Sequence, residues 1–290
     1  MLFRDLIAYL SIIVILALAV LIVVGVNMYT ALKPERYFST VTPRNFGLDY
    51  RPITLKTADG VSIAGWHIPS QDGPAAAAIV ALHGYPADKG DLLAHTVFLA
   101  DTFDLLLIDF RYFGESGGDF STVGAREVAE YEAAVTYLRD LGFEKVGVYG
   151  FSMGGAVALM GAAGPVRADA VVAEAAYQDL YTMAEETFRN LGPLKRPLGW
   201  LMRQAVRLVL DIDLKEVSPA KAASALDIPV LIIHSRQDQV VPFGSALAIQ
   251  GALQHNDQAE FMFTDAVTHG EVSRDFATTL RDFFSRHLLR

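Results

Sequence analysis

Lys145-Val-Gly-Val-Tyr-Gly150-Phe-Ser152-Met-Gly154-Gly-Ala-Val-Ala-Leu159 is the stretch from which the fold follows. Val146 to Tyr149 is a short apolar run that suits a buried strand. Gly150 to Gly154 is a tight corner, and Ala156 to Ala163 reads as a helix of small and apolar residues. A G-x-S-x-G corner between a strand and a helix holds its serine on a strained turn, with the oxygen projecting out of the sheet. Glycine suits positions 150 and 154 because a Cβ there would strike the neighbouring strand or helix. The helix that follows points its free N–H groups at the place where negative charge would develop. The plainer reading of the same residues is a glycine-rich packing turn.

Outward from this corner the chain keeps one rhythm. Ile53 to Thr57 and Val61 to Ile68 alternate in polarity across the turn Ala58-Asp59-Gly60, which predicts a hairpin. Continuous apolar runs follow at Ala76–Leu82, Leu105–Ile108, Val146–Tyr149, Ala170–Ala173, Pro229–His234 and Glu260–Phe263. Between them lie helical patterns at Ala125–Leu141 (Val128, Tyr131, Val135, Leu138) and Arg274–Leu288 (Phe276, Leu280, Phe283, His287). Apolar strands alternating with helices predict an α/β fold: a mostly parallel eight-stranded sheet covered on both faces. One segment breaks the rhythm. The chain between Val172 and Val230 is too long for a single crossover and carries amphipathic patterns at Asp179–Leu191 and Leu198–Leu210. It reads as a short helical lid, about 177–225, over the edge of the sheet that bears the corner. The alternative is that its apolar residues simply pack on the domain.

The N-terminal part is of another kind. Leu6 to Met28 contains no charged residue and exceeds the roughly 20 residues a helix needs to cross a bilayer. The run is longer than the apolar region of a cleaved leader, and no convincing small-x-small site follows it, so an uncleaved anchor is expected. Lys33, Arg36 and Arg44 after the span, against Arg4 before it, lean toward a cytoplasmic side for the domain that follows. The expected organisation is an anchor over 1–30, a linker over 31–52 with Pro34, Pro43 and Pro52, and one domain over 53–290.

Of 290 residues, 52% are hydrophobic, enough for a sizeable core; the formal charge of −9 argues against a nucleic-acid partner. The chain has no cysteine, which removes disulfides, thiolate chemistry and cysteine-ligated zinc. Its histidines are scattered without metal-binding spacing, so neither metal nor cofactor is expected.

A nucleophilic serine needs a base, and the base an orienting carboxylate. Asp238 follows one strand in Arg236-Gln-Asp238-Gln-Val-Val-Pro242, and His269 follows the next in Asp265-Ala-Val-Thr-His269-Gly270. With His83-Gly84, Asp109-Phe-Arg111-Tyr-Phe-Gly114-Glu-Ser116-Gly117 and Gly150–Gly155, these stretches resemble the α/β-hydrolase superfamily, and within it the abhydrolase-domain serine hydrolases. The resemblance spans about Ile53 to Leu288. It implies Ser152 as nucleophile, His269 as general base and then acid, and Asp238 as the orienting carboxylate. Glu174 is the rival acid and Asp265 a distant third; His255, at a helix end, and His287, within the last helix, fit the base poorly. Two backbone donors for the oxyanion are expected from Met153 and Tyr85, since Pro86 has no N–H. Asp109, Arg111, Glu115 and Ser116 are expected to brace loops. The implied activity is cleavage of carboxylic esters by an acyl-enzyme route, with lipid-like or thioester acyl substrates favoured by the anchor and the apolar insertion. A serine at the corner excludes a haloalkane dehalogenase, which carries aspartate there. Two alternatives stay open: a serine peptidase or amidase of the same fold, and a non-catalytic binding protein that keeps the fold.

Overall fold

The computed structural model describes residues 2–36, 38–265 and 268–289. Residues 1 and 290, the outer limits of the expected anchor and domain, lie outside these, as do Ala266 and Val267 in the stretch before His269. In chain order the strands are β1 (Arg51–Lys56), β2 (Ser62–Ile68), β3 (Ala77–Leu82), β4 (Asp104–Ile108), β5 (Lys145–Phe151), β6 (Ala170–Glu174), β7 (Val230–Ser235) and β8 (Ala259–Thr264). Among the described residues they form one eight-stranded sheet in the order β1-β2-β4-β3-β5-β6-β7-β8. β1, β2 and β4 pair antiparallel, and every pairing from β4 through β3 to β8 is parallel. This is the α/β-hydrolase architecture that the sequence predicts.

The helices are α1 (Leu2–Leu32), α2 (Leu93–Thr96), α3 (Val128–Asp140), α4 (Met153–Ala162), α5 (Leu180–Glu186), α6 (Lys195–Leu210), α7 (Pro219–Ala223), α8 (Gly244–Ala252) and α9 (Phe276–Leu288). Side chains alternate across the sheet and build two cores. Ala78, Val80 and Leu82 of β3 face Tyr131, Val135 and Leu138 of α3, Val157 of α4 and Ile249 of α8. Ala77, Ile79 and Ala81 face Leu93 of α2 and Phe276, Leu280, Phe283 and Phe284 of α9. Burial on both faces explains why β3, β6 and β7 read as unbroken apolar runs.

The corner between β5 and α4 has the expected strain. Ser152 sits at φ 54° and ψ −115°, and its N–H donates to the Glu174 carbonyl at 2.8 Å. Such a conformation costs a non-glycine residue on the order of 1–3 kcal/mol and persists only where the surroundings enforce it. They do so by proximity. A Cβ on Gly154 would lie 2.0 Å from the Leu82 carbonyl oxygen at the end of β3, and one on Gly150 would lie 2.2 Å from the Gly154 carbonyl oxygen.

The inserted segment consists of α5, a 3₁₀ turn at Arg189–Leu194, and α6. Asp179 caps α5 by accepting from the Thr182 N–H at 2.7 Å. Leu180, Ala184, Phe188, Leu198, Met202 and Val206 make a third apolar cluster over Ala156, Tyr177 and Val241. α7 and the residues after it return the chain to the main core through Ala223 and Leu226. The part that covers the corner is therefore Leu180 to Leu210.

α1 is long and apolar enough to cross a membrane. Its residues from Arg4 to Val23 are exposed, whereas Val24 is buried against the insertion. The segment after it is tied to the domain: Pro34 O accepts from Tyr112 Oη, Arg36 donates to Gly114 O and Ser116 O, and the Ser39 N–H donates to Asp88 Oδ2.

The close approach at the corner makes a specific prediction. Gly154→Ala drives a methyl into the β3 backbone and should lower stability by about 2 kcal/mol or more in thermal or denaturant unfolding of the detergent-solubilised full chain. Gly251→Ala, in α8 with open space around it, should be neutral or stabilise by up to about 1 kcal/mol.

Candidate active site

Three residues from three strand ends meet at the C-terminal rim of the sheet. Ser152 comes from the corner after β5, Asp238 from the loop after β7, and His269 from the loop after β8. Ser152 Oγ lies 3.1 Å from His269 Nε2, and His269 Nδ1 lies 2.7 Å from Asp238 Oδ2. With Nδ1–H donating to the carboxylate, Nε2 is left as the acceptor for the serine O–H. A hydroxyl, imidazole and carboxylate joined in this order can move a proton off the hydroxyl as it attacks a carbonyl.

The surroundings fix each member. Asp238 Oδ1 accepts from the Val240 and Val241 N–H groups, both at 2.8 Å, so one oxygen is anchored while the other faces the histidine. Burial pushes the Asp238 carboxyl up; the hydrogen bond from His269, those two amides and the histidine's charge outweigh it and hold the group below the usual carboxylate range. The His269 ring packs on Phe151 with centroids 4.9 Å apart. Gly270 brings its loop onto the same ring, where a Cβ would meet Phe151 Cζ at 3.1 Å.

The rival residues are engaged elsewhere. Glu174 accepts from Tyr149 Oη at 2.6 Å, and Asp265 is exposed and pairs with Arg236 at 3.1 Å. His255 lies just past α8 and bonds Leu226 O, while His287 lies in α9 against Phe283. Asp109 accepts from Lys89 N and Nζ and from Glu115 N, Arg111 pairs with Glu130 and Asp59, and Ser116 Oγ donates to Asp109 O. These groups hold loops together.

The loop after β3 reaches the corner at Gly84, where a Cβ would lie 3.3 Å from Ser152 Cβ and 2.8 Å from Phe151 Cδ1. Tyr85 and Met153 both line the cavity that Ser152 opens into. The His83 side chain was not singled out from the sequence, yet it sets this loop. Its Nδ1–H donates to Gly84 O at 2.7 Å and its Nε2 accepts from Phe110 N at 2.9 Å. That pairing requires a neutral ring, and full burial pushes its pKa down. Lys89, buried against Asp109 and over the Trp66 ring, was missed too, because a lysine in a loop reads as solvated.

The cavity holds about 270 Å³. Its walls come from the insertion (Leu180, Met183, Met202, Val206), from Val241 and from α1, and no charged side chain lines it among the described residues. Among the described residues, no three His, Asp or Glu side chains gather in a metal-holding cluster.

The sheet order, the strained serine corner and its position at the strand ends define an α/β-hydrolase. More narrowly, residues 103–289 match the prolyl oligopeptidase family, and the chain belongs to that family. Escherichia coli YfhR is 26% identical over 200 residues, covering 66% of this chain and 64% of that protein. Bacillus subtilis YqkD is 27% identical over 202 residues, 67% of this chain and 65% of that protein. The match therefore spans somewhat less than two thirds of these relatives. The Arabidopsis thaliana α/β hydrolase domain-containing protein WAV2 is 25% identical over 230 residues, 77% of this chain and 73% of that protein. Among solved structures, the Pyrococcus furiosus esterase Pf2001 superposes with a TM-score of 0.74 at 23% identity, over 89% of this chain and all of that one. The Pyrococcus horikoshii acylaminoacyl peptidase gives 0.66 at 19%, over 83% of this chain and 42% of that one. These two likenesses concern the fold.

The depressed Asp238 carboxyl makes a pH prediction. Its folded pKa lies below the unfolded value, so its stabilising contribution is full above the ordinary carboxylate range and fades as pH falls through the folded pKa. Asp238→Asn should therefore be less stable than wild type at pH 7, and the gap should narrow below about pH 4. Denaturant unfolding of both proteins across pH 3–7 measures it.

Proposed function

We propose that this protein is a membrane-anchored serine hydrolase that cleaves carboxylic esters through an acyl-enzyme, with lipid-like or thioester acyl groups as its favoured substrates. One observation carries the reading: the hydrogen-bonded line Ser152–His269–Asp238 stands where Ser152 enters a mostly apolar cavity with no charged lining among the described residues. Ser152 Oγ attacks the acyl carbon while His269 Nε2 takes its proton. The carbonyl oxygen becomes an oxyanion, and the Met153 and Tyr85 amides donate to it. His269 then passes the proton to the departing alkoxide or thiolate. Water, deprotonated by the same nitrogen, attacks the acyl-serine; the bond to Oγ breaks, His269 returns that proton to the serine oxygen, and the acid is released. Asp238 stabilises the imidazolium and fixes its tautomer.

In this reading residues 1–30 are the anchor, 31–52 connect it to the domain, and 53–290 are the hydrolase domain. Lys33, Arg36 and Arg44 favour the cytoplasmic side.

A second reading, a peptidase or amidase using the same three residues, draws support from the family match over residues 103–289. The uncharged cavity gives the ester reading the advantage, because a peptide chain brings polar amides that need partners.

Purified full chain assayed on p-nitrophenyl esters of rising length and on peptidyl p-nitroanilides separates the two. Ester turnover rising with chain length, with anilides at background, is expected; the reverse preference would establish the peptidase. Ser152→Ala should lower kcat/KM at least about 10³-fold, and Asp238→Asn by about 10²–10⁴-fold. Undiminished hydrolysis by Ser152→Ala would remove the serine mechanism.

A further inference from the structure

α1 does not stop where a simple tether would. From Leu6 to Val23 all eighteen residues are exposed. At about 1.5 Å per residue they span about 27 Å, close to the roughly 30 Å hydrocarbon layer. From Val24 onward the same helix turns one stripe inward: Val24, Met28 and Ala31 repeat at i, i+4 and i+7, the spacing of one helical face. Val24 packs among Leu198, Met202 and Val206 of α6, and Asn27, Met28, Ala31 and Leu32 line the cavity that holds Ser152.

The end of the helix is also held by bonds. Thr30 O accepts from Tyr85 Oη at 3.3 Å, and Leu32 O accepts from the Ser121 N–H at 2.9 Å. The residue beside the corner's loop is thus tied to the last turn of α1. The polar side chains there donate back to the helix's own carbonyls: Asn27 Nδ2 to Val23 O, and Thr30 Oγ1 to Val26 O. α6 also carries Trp200 and Leu208 on its surface, exposed by 52% and 88%.

We propose that the last two turns of α1 are a wall of the substrate site, and that the ligand they take is a single fatty-acyl chain passing from the leaflet along α1 toward Ser152. This deepens the ester-hydrolase reading and rests on it for the reaction, though not for the binding. Continuity is the reason for choosing this ligand. One face of a helix that matches the bilayer in length and polarity runs unbroken into an uncharged cavity of about 270 Å³, so an extended chain leaves lipid for protein without crossing water. A protein whose α1 were removed as a leader would lack this wall and expose Met202 and Val206.

The chain can arrive on a phospholipid or on an acylated peptide, and the test separates them. Full-length Ser152→Ala protein, which cannot consume a substrate through that serine, is reconstituted in phosphatidylcholine vesicles. One arm contains a diazirine-bearing phosphatidylcholine; the other adds a diazirine-bearing palmitoylated peptide from the aqueous side. After illumination, cross-links are mapped by mass spectrometry with and without excess unlabelled probe. Competable cross-links on both 27–32 and 183–206 are expected, and the arm that yields them names the carrier. Cross-links confined to 6–23, or on 183–206 without 27–32, overturn the proposal. This readout stands even if the protein hydrolyses no ester. As a second measurement, Ala31→Trp should lower the ratio of dodecanoate to acetate turnover at least about tenfold, while Leu16→Trp on the exposed face keeps the wild-type ratio. An unchanged ratio for Ala31→Trp counts against the wall.

Discussion

The molecule depends on one close approach of backbones. The first turn of α4 lies so near the end of β3 that position 154 has no space for a Cβ beside the Leu82 carbonyl. β3 and β5 are parallel neighbours, with Leu82 opposite Gly150, so their C-terminal ends emerge side by side. One continues into His83-Gly84-Tyr85, the other into Ser152. Glycine at 84, 150 and 154 lets three backbone segments converge where any side chain would hold them apart. The positive φ of Ser152 follows from this convergence, as does the place of the Tyr85 loop beside Met153.

Around that point the polar groups are arranged by exclusion as much as by attraction. Asp238 is gripped by two amides and turns one oxygen to His269, while Glu174, on the neighbouring strand, is occupied by the Tyr149 hydroxyl. His83 is kept neutral by burial and bonds on both sides, tying the loop after β3 to Phe110. The result is a nucleophile candidate with His269 beside it and Asp238 behind the histidine. It opens into a cavity whose walls are almost wholly apolar.

Much of this was legible in the residues. The glycines at 150 and 154, the apolar runs and the turn signals predict the sheet and the corner, because those features arise from local sterics and two-sided burial. Asp238 and His269 stand out in the sequence because strand ends are where a parallel sheet presents its side chains, and the structure sets them in one hydrogen-bonded line with Ser152. Other features were not readable, for definite reasons. α1 is apolar on every side, so nothing in its composition separates the exposed stretch to Val23 from the packed stripe at Val24, Met28 and Ala31. The contacts of Pro34, Arg36 and Ser39 join residues far apart in sequence, and a proline-bearing segment reads as a loose connection until its partners are seen. α2 and α7 are too short to show a period. The sequence favours Asp238 over Glu174, but no pattern in it encodes the Tyr149 hydroxyl that occupies Glu174.

The most direct measurement is covalent labelling of the full-length protein with a fluorophosphonate, followed by tryptic digestion and mass spectrometry. Ser152 should carry the phosphonyl group within the peptide Val146–Arg167, and His269→Ala should slow its attachment severely. Label on a different residue, or ester hydrolysis by protein whose Ser152 stays unmodified and uninhibited, would contradict the assignment of that serine as the nucleophile.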